Sequence, residues 1–148
     1  MPKKRKIYLG SDHAGFGLKE ELKKYLAKLG VAVEDLGNTK LEPLDDYPDY
    51  ALKVAKKVAQ THSEGILICG SGVGTCMTAN KVRGVRAVNA YNEAVARASR
   101  EHNQANILCF GQGYIKSANA KKITKAWLAT SYSSAGRHVR RVKKMNKI

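Results

Sequence analysis

The chain has 148 residues, enough for one domain with a buried core and too few for two ordinary domains. No apolar run approaches the roughly 18 residues of a membrane span, and the basic N-terminus lacks the apolar stretch of a secretory signal, so we expect a cytoplasmic protein without membrane contact. The 27 Lys and Arg against 12 Asp and Glu give a formal charge of +15, which favours an anionic partner.

The positive charge is concentrated in the C-terminal third, because Glu101 is the last acidic residue. A nucleic-acid-binding protein would share this balance, but the chain has no zinc-finger spacing, aromatic RNA-binding signature or basic-leucine pattern. We therefore expect no nucleic-acid partner and interpret these lysines as a solvated face. The prediction is a single domain over residues 1–148, with a basic N-terminal tail at residues 1–5.

Strands and amphipathic helices alternate along the whole chain. Apolar runs predict strands at residues 7–9, 31–36, 65–69, 85–88 and 107–110. Helical spacing predicts helices over 18–29, near Pro48, after the glycine loop 70–74, over 93–100 and 118–128, and from about His138. This order indicates an α/β fold: a three-layer, doubly wound, Rossmann-like parallel sheet with helices on both faces.

In such a fold the ligand site lies beyond the carboxyl ends of the strands, where two segments qualify. The first follows the first predicted strand and sets Asp12 beside His13, two groups suited to proton transfer. The second reads Cys69-Gly70-Ser71-Gly72-Val73-Gly74, where alternate glycines let backbone amides approach an anion. The second segment could hold a developing oxyanion.

The glycine loop differs from the common nucleotide motifs. It lacks the Gly-Lys-Ser/Thr ending of a P-loop, and Thr75 stands where a dinucleotide fingerprint requires its third glycine. A cysteine beside amides at a helix start is favoured as a thiolate, so Cys69 could serve as a base. Cys76 and Cys109 are interpreted as small buried hydrophobic residues, and the three cysteines form no disulfide or metal-ligand spacing.

Six separated motifs then occur in order along nearly the whole chain. They are Gly10-Ser11-Asp12-His13-Ala14-Gly15, Tyr47-Pro48-Asp49-Tyr50, the run from Ile66 to Gly74, Ala79-Asn80-Lys81, Arg100-Glu101-His102-Asn103 and Gly136-Arg137-His138. Together they resemble ribose-5-phosphate isomerase type B, of the family shared with galactose-6-phosphate isomerase. The resemblance implies interconversion of ribose 5-phosphate and ribulose 5-phosphate through an enediolate, without a metal or organic cofactor.

The resemblance also implies roles for individual residues. Cys69 matches the base that moves the proton between the two carbons, and His102 matches the acid that opens the furanose ring. The amides of Gly70, Ser71, Gly72, Val73 and Gly74, with the Ser71 side chain, match the loop that binds the enediolate. Asp12 and His13 match positions near the sugar oxygens and the phosphate, Asn103 matches a substrate contact, and His138 is a second candidate for ring opening.

The residues expected to bind the phosphate group of the substrate agree with the family only in part. Arg137 and Arg141 match two family arginines and lie four residues apart, hence on one helix face. The family usually has a further arginine where this chain has Gly113, and Lys116 or another basic residue is the candidate to replace its charge. The resemblance further implies that the C-terminal helix packs across a homodimer, or a dimer of dimers, and brings His102 and the arginines to the partner's site.

Two alternatives remain at this point. The substrate could be a six-carbon sugar phosphate such as galactose 6-phosphate or allose 6-phosphate, because no motif sets the length of the pocket and Gly113 leaves space. The basic tail could instead mark a non-catalytic, nucleic-acid-binding derivative, which the intact Cys69 and glycine loop disfavour.

Overall fold

The structure is a computed structural model that describes residues 5–148. Its five strands are β1 (Lys6–Ser11), β2 (Ala32–Asp35), β3 (Glu64–Cys69), β4 (Ala87–Asn89) and β5 (Ile107–Gly111). Its α-helices are α1 (Phe16–Lys28), α2 (Tyr47–Thr61), α3 (Val73–Ala79), α4 (Glu93–Glu101), α5 (Ser117–Ala129) and α6 (Gly136–Met145). A 3-10 turn at His13–Gly15 precedes α1.

The strands form one parallel sheet in the order β2-β1-β3-β5-β4. In its register Ser11 lies opposite Ile68 and Cys69 lies opposite Gly111, so the carboxyl ends of the three central strands lie side by side. The chain adds β2 on one side of β1 and then crosses to add β3 on the other. The point between β1 and β3 is therefore a topological switch point, where α/β sheets open a ligand crevice.

Two apolar layers cover the sheet. Ile66 and Ile68 face a core that includes α1, α4 and α5, whereas Leu67 between them faces a core that includes α2 and α3. This alternation follows from the period of two along a strand. The predicted three-layer α/β fold with helices on both faces is therefore confirmed.

The predicted elements are all present, with small shifts at their ends. The fourth strand begins at Ala87 rather than at residue 85, the last helix begins at Gly136, and the 3-10 turn was not predicted. Of the predicted basic tail, residues 1–4 lie outside the described residues. Arg5 donates two hydrogen bonds to Glu64, at 2.7 and 2.8 Å, and one to the Leu128 carbonyl at 2.6 Å.

The longest helix, α2, has 15 residues. Among residues 5–148, none of the helices combines the length and the apolar character of a membrane span.

One lysine of α1 is completely buried. Lys19 pairs with Asp35 at the end of β2 and with Glu20 at 3.1 Å, and Lys23 reaches the same Asp35 carboxylate at 2.9 Å. Burial raises the pKa of Asp35, but the hydrogen bonds from Lys19, Lys23 and the Gly37 amide outweigh it and bring that pKa below its usual value. This ion-pair network fixes α1 against the end of β2, where the chain turns toward the crevice.

Candidate active site

The crevice between β1 and β3 brings the first two predicted segments together. The turn after β1 packs so closely on β3 that a Cβ at Gly15 would lie 2.5 Å from the Ile68 carbonyl oxygen. On the other side, a Cβ at Gly70 would lie 3.5 Å from the Ala14 Cβ. The loop that carries Asp12 and His13 therefore touches the loop that follows Cys69.

Cys69 ends β3 with its side chain buried against one backbone amide and one hydroxyl. Its Sγ accepts the Gly72 amide at 3.1 Å and lies 3.4 Å from the Thr75 hydroxyl, which also contacts the Gly72 carbonyl at 3.3 Å. Donors directed at a sulfur stabilise its negative charge. The Gly72 amide is therefore directed at the sulfur of Cys69.

Two glycines of the loop, Gly72 and Gly74, are required by its shape. Gly72 has φ 78°, and a Cβ there would lie 2.7 Å from the Phe110 carbonyl carbon. A Cβ at Gly74 would lie 2.6 Å from the Tyr47 ring, so Tyr47 at the start of α2 covers the loop. Gly74 lies in the first turn of α3, where helix amides have no helix carbonyl to bind. An anionic oxygen could accept such an amide.

The amides of Gly72 and Val73 already have partners within the loop. The Gly72 amide donates to Cys69, as described above, and the Val73 amide donates to the Ser71 hydroxyl at 3.2 Å. The Ser71 carbonyl in turn accepts Asn89 Nδ2 at 3.3 Å. The loop is therefore held in one conformation before any ligand binds.

Asp12 and His13 have different electrostatic environments. Asp12 is buried and accepts the Gly15 amide at 3.1 Å, and burial raises the pKa of its carboxyl group. His13 is partly exposed, and its Nδ1 lies 2.8 Å from Asp45 Oδ1. The hydrogen bond to Asp45 raises the pKa of His13, with a further contribution from the charge of Asp12.

One further arrangement in the crevice has the composition of a metal site. Each of Asp12, His13 and Asp45 offers one atom that could bind a metal ion, and these three atoms lie within 4.8 Å of one another. His13 Nδ1 and Asp45 Oδ1 lie 2.8 Å apart, the distance of a hydrogen bond between them. We therefore interpret the group as a hydrogen-bonded unit and not as a metal site.

The remaining predicted site residues form a second cluster, the histidine–arginine cluster of His102, Asn103, Arg137, His138 and Arg141. His102 ends α4, which runs back from the carboxyl end of β4, and the chain then enters β5 at residue 107. The imidazole rings of His102 and His138 lie 4.5 Å apart. The cluster therefore lies at the amino ends of the strands, the opposite edge of the sheet from Cys69.

Helix α6 lies at this same edge. Arg86, directly before β4, donates to the Asn146 side chain at 3.1 Å, just beyond the end of α6. Burial lowers the pKa of His138, and the neighbouring charges of Arg137, His102 and Arg141 lower it further. Its buried Nδ1 has no hydrogen-bond partner among the described residues. Within a single chain, the histidine–arginine cluster does not meet the crevice.

Gly113 lies on the crevice side. Its amide donates to the Gly70 carbonyl at 3.0 Å, and a Cβ at this position would lie 3.2 Å from the same carbonyl oxygen. The preceding Gln112 binds the Leu18 amide at 2.8 Å through its side-chain oxygen and so ties this loop to the start of α1. A side chain at position 113 would emerge directly beside the glycine loop.

Sequence reasoning missed three residues of the crevice. The motifs mark Thr75 only as a departure from a dinucleotide fingerprint, and none of them includes Asn38 or Asp45. The Thr75 contact could have been anticipated, because a residue in the first turn of α3 faces back toward the end of β3. Asp45 is 32 residues from His13, and no local pattern predicts that contact.

The fold and the crevice define a class: a doubly wound α/β protein that presents a buried thiol, loop amides and a carboxyl–imidazole pair at its switch point. Comparisons with known proteins agree with this class. A family described as Ribose/Galactose Isomerase matches residues 7–145. Ribose-5-phosphate isomerase B of Escherichia coli is 44% identical over 145 residues, which cover 97% of this chain and 96% of the relative.

Solved structures agree as well. Ribose-5-phosphate isomerase B of Clostridium thermocellum superposes with a TM-score of 0.92 at 44% identity, covering 96% of this chain and 95% of that one. The Mycoplasma genitalium ribose-5-phosphate isomerase B with bound ribulose-5-phosphate gives a TM-score of 0.92 at 40% identity, covering 96% and 94%. The chain therefore belongs to the ribose/galactose isomerase family.

Proposed function

We propose that this protein interconverts ribose 5-phosphate and ribulose 5-phosphate, with Cys69 as the base. The observation that carries the proposal is the environment of the Cys69 sulfur. It accepts a hydrogen bond from the Gly72 amide, within a glycine loop whose other amides could bind an oxyanion. The names of the 44%-identical E. coli relative and of the structure with bound ribulose-5-phosphate support this substrate.

The proposed reaction begins on the open-chain aldose. The Cys69 thiolate takes the proton from C2, the C2–H electron pair forms the C1–C2 double bond, and the carbonyl oxygen on C1 becomes an enediolate oxygen. Fixed amides of the glycine loop stabilise that charge, a contribution typically worth several kcal/mol. The proton then returns from the Cys69 thiol to C1, while the proton of the C2 hydroxyl passes to the oxygen on C1, so that C2 becomes the ketone and C1 carries the hydroxyl. No electron acceptor is consumed, because C2 is oxidised as C1 is reduced.

The other predicted residues have supporting roles in this proposal. Ser71 holds the loop through the Val73 amide. Asp12 is buried with a raised pKa, which suits a group that exchanges a proton with the sugar hydroxyls. His102, or alternatively His138, would open the furanose ring, and Arg137, Arg141 and Asn103 would hold the phosphate end.

We further propose that two chains build each site. The support is the placement of the histidine–arginine cluster at the opposite edge of the sheet from Cys69, where it cannot serve the crevice of its own chain. A homodimer, or a dimer of dimers, in which α6 crosses to the partner would bring the two halves together. The proposed setting is cytoplasmic sugar metabolism, with neither nucleic acid nor membrane as a partner.

A six-carbon sugar phosphate is the second candidate, favoured by Gly113. The atom nearest to a Cβ at this position is the Gly70 oxygen, and apart from the adjacent residues no other heavy atom of the described chain lies within 4 Å of it. Parallel kinetics on ribose 5-phosphate, allose 6-phosphate and galactose 6-phosphate would rank the substrates by kcat/KM.

The decisive experiment compares Cys69→Ala with Cys76→Ala in an isomerase assay without added metal. Cys76 is a half-buried thiol on α3, so it controls for the loss of a thiol close to the loop. We expect Cys69→Ala to lower kcat by about 10²–10⁴-fold, as is typical for loss of a proton-transfer group, while substrate still binds. Cys76→Ala should keep most of the activity. Full activity of Cys69→Ala would exclude the proposed base.

A further inference from the structure

His13 is held at two points by one carboxylate from a distant loop. Asp45 Oδ1 accepts the His13 backbone amide at 2.9 Å and lies 2.8 Å from the ring Nδ1. The Asp45 side chain is 9% exposed and that of His13 is 40% exposed, so the carboxylate is enclosed while the imidazole reaches solvent. A carboxylate that accepts Nδ1–H leaves Nε2 as the ring atom that gains and loses a proton.

The Asp45 carboxylate is itself held by Asn38. Asn38 Nδ2 donates to its second oxygen at 2.6 Å, and the backbone amide of the buried Asn38 donates to the Ser11 carbonyl at 3.1 Å, at the end of β1. Burial raises the pKa of Asp45, but the hydrogen bonds from His13 and Asn38 outweigh it and bring that pKa below its usual value. The carboxylate is therefore charged and immobile near neutral pH.

His13 belongs to the turn that packs on the glycine loop, and position 113 adjoins the same loop. His13 precedes Ala14, which touches the position of Gly70, and Gly70 accepts the amide of Gly113. Position 113 has no side chain to supply a positive charge to this part of the crevice. An imidazolium can supply one, as a charge-assisted donor to a phosphate oxygen.

We propose that Asp45, braced by Asn38, is a positioning residue that keeps His13 as an imidazolium with a fixed ring orientation and so sets the affinity for the substrate's phosphate group. The inference rests on the proposed function, because it assumes a phosphorylated substrate in this crevice. It assigns to the loop between β2 and α2 a part in substrate selection.

The pH dependence follows from the charges that face the imidazole. These are Asp45 on the loop before α2 and Asp12 on the turn after β1, and Tyr50 of α2 contacts Asp45 in turn. Both carboxylates raise the pKa of His13, so the cation persists below that raised value and is lost as pH rises through it. A sugar phosphate is a dianion above about pH 6. Tight binding is therefore expected above the phosphate pKa of about 6 and below the raised pKa of His13. KM should rise as the pH exceeds the pKa of His13.

The first test is an NMR titration of the histidine ring signals in substrate-free protein between pH 5.5 and 9, with His13 assigned from a His13→Gln variant. Asp45→Asn keeps an acceptor oxygen and removes the charge. We expect the His13 pKa to fall in Asp45→Asn and to stay near the wild-type value in Asp45→Glu. Asp46→Asn is the matched control, because Asp46 is the adjacent exposed carboxylate and makes no side-chain cap to α2. The proposal is overturned if His13 titrates alike in wild type and Asp45→Asn.

The second test measures kcat and KM on ribose 5-phosphate at pH 6 and at a pH between the His13 pKa values of wild type and Asp45→Asn, as the titration gives them. Asp45→Asn should raise KM at the higher pH by about tenfold, the equivalent of one lost charge-assisted hydrogen bond, with a smaller change at pH 6 and little change in kcat. An equal KM change at both pH values, or the same change in Asp46→Asn, would show a merely structural role and overturn the proposal. If no sugar phosphate is turned over, the proposed function fails, whereas the titration still decides the link between Asp45 and His13.

Discussion

The hydroxyl of Thr75 contacts the Cys69 sulfur. A substitution can separate this contact from the packing of the Thr75 side chain. Thr75→Val keeps the shape and removes the hydroxyl that lies 3.4 Å from Sγ. We expect kcat to fall by about tenfold, as for loss of one hydrogen bond to a charged group, with KM little changed. The measurement is steady-state kinetics alongside a thermal melt.

Thr78→Val is the matched control for this substitution. Thr78 lies on the same helix, and its hydroxyl donates to the Gly74 carbonyl at 2.8 Å instead of contacting the thiol. Each variant should lose about 1 kcal/mol of stability, but only Thr75→Val should lose turnover. Equal kcat values for the two variants would remove Thr75 from the mechanism.

Gly113→Arg tests whether the crevice lacks a positively charged side chain. The test has to separate the effect of the charge from the effect of adding a Cβ. The first side-chain carbon would lie 3.2 Å from the Gly70 oxygen, so the glycine loop must yield by a few tenths of an ångström. We expect Gly113→Ala to lower kcat slightly through this shift. Gly113→Arg should lower KM relative to Gly113→Ala, because a guanidinium is a strong phosphate ligand. A KM of Gly113→Arg no lower than that of Gly113→Ala would mean that the charge is already supplied.

At the residue scale, the sequence predicts those site residues whose neighbours in the chain are also neighbours in space. Asp12 and His13 follow β1 and Cys69 ends β3, and parallel strands end at a common edge, so their proximity could be deduced. Asp45 and the buried Lys19 could not be found in this way. Lys19 occupies a core-facing turn of α1 only because Asp35 and Glu20 compensate its charge, and those contacts depend on the folded sheet.

At the scale of elements, the turn from β3 into α3 should be the part of the crevice least tolerant of substitution. Gly72→Ala would place a Cβ against the backbone of β5 in a left-handed conformation, and we expect it to cost at least about 2–4 kcal/mol of unfolding free energy. Gly136→Ala is the contrasting variant, because a Cβ at the first residue of α6 meets no atom within 4 Å. It should be neutral or stabilising by about 0.4–1 kcal/mol. Urea denaturation measures both, and similar midpoints would contradict this account of the turn.

The elements themselves were predictable because each carries its own periodicity. The continuous apolar run of β3 and the spaced leucines of α1 are local properties that the fold preserves. The order of the strands is different, because no local pattern tells whether β5 lies beside β4 alone or between β4 and β3. That choice depends on how α4 and α5 pack against the same face of the sheet.

At the scale of the whole molecule, the proposed two-chain site predicts complementation between inactive variants. Cys69→Ala and His102→Ala should each be inactive alone. Mixed dimers would contain one site with both residues intact, so unfolding and refolding an equal mixture should restore roughly a quarter of wild-type activity. Activity of the mixture is compared with that of each variant refolded alone. A mixture no more active than its components would place both residues in the same chain's site.

The strand order β2-β1-β3-β5-β4 also constrains how the chain can be assembled during synthesis. In the described sheet β4 pairs with β5 alone, so Ala87–Asn89 has no strand to join until residues 107–111 have left the ribosome. The segment between Cys69 and β5 contains the glycine loop, α3, β4 and α4. It cannot complete its packing on the sheet before β5 pairs with β3. The first three strands can form a sheet while the chain is still growing, whereas the glycine loop takes its final form only when β5 packs against it.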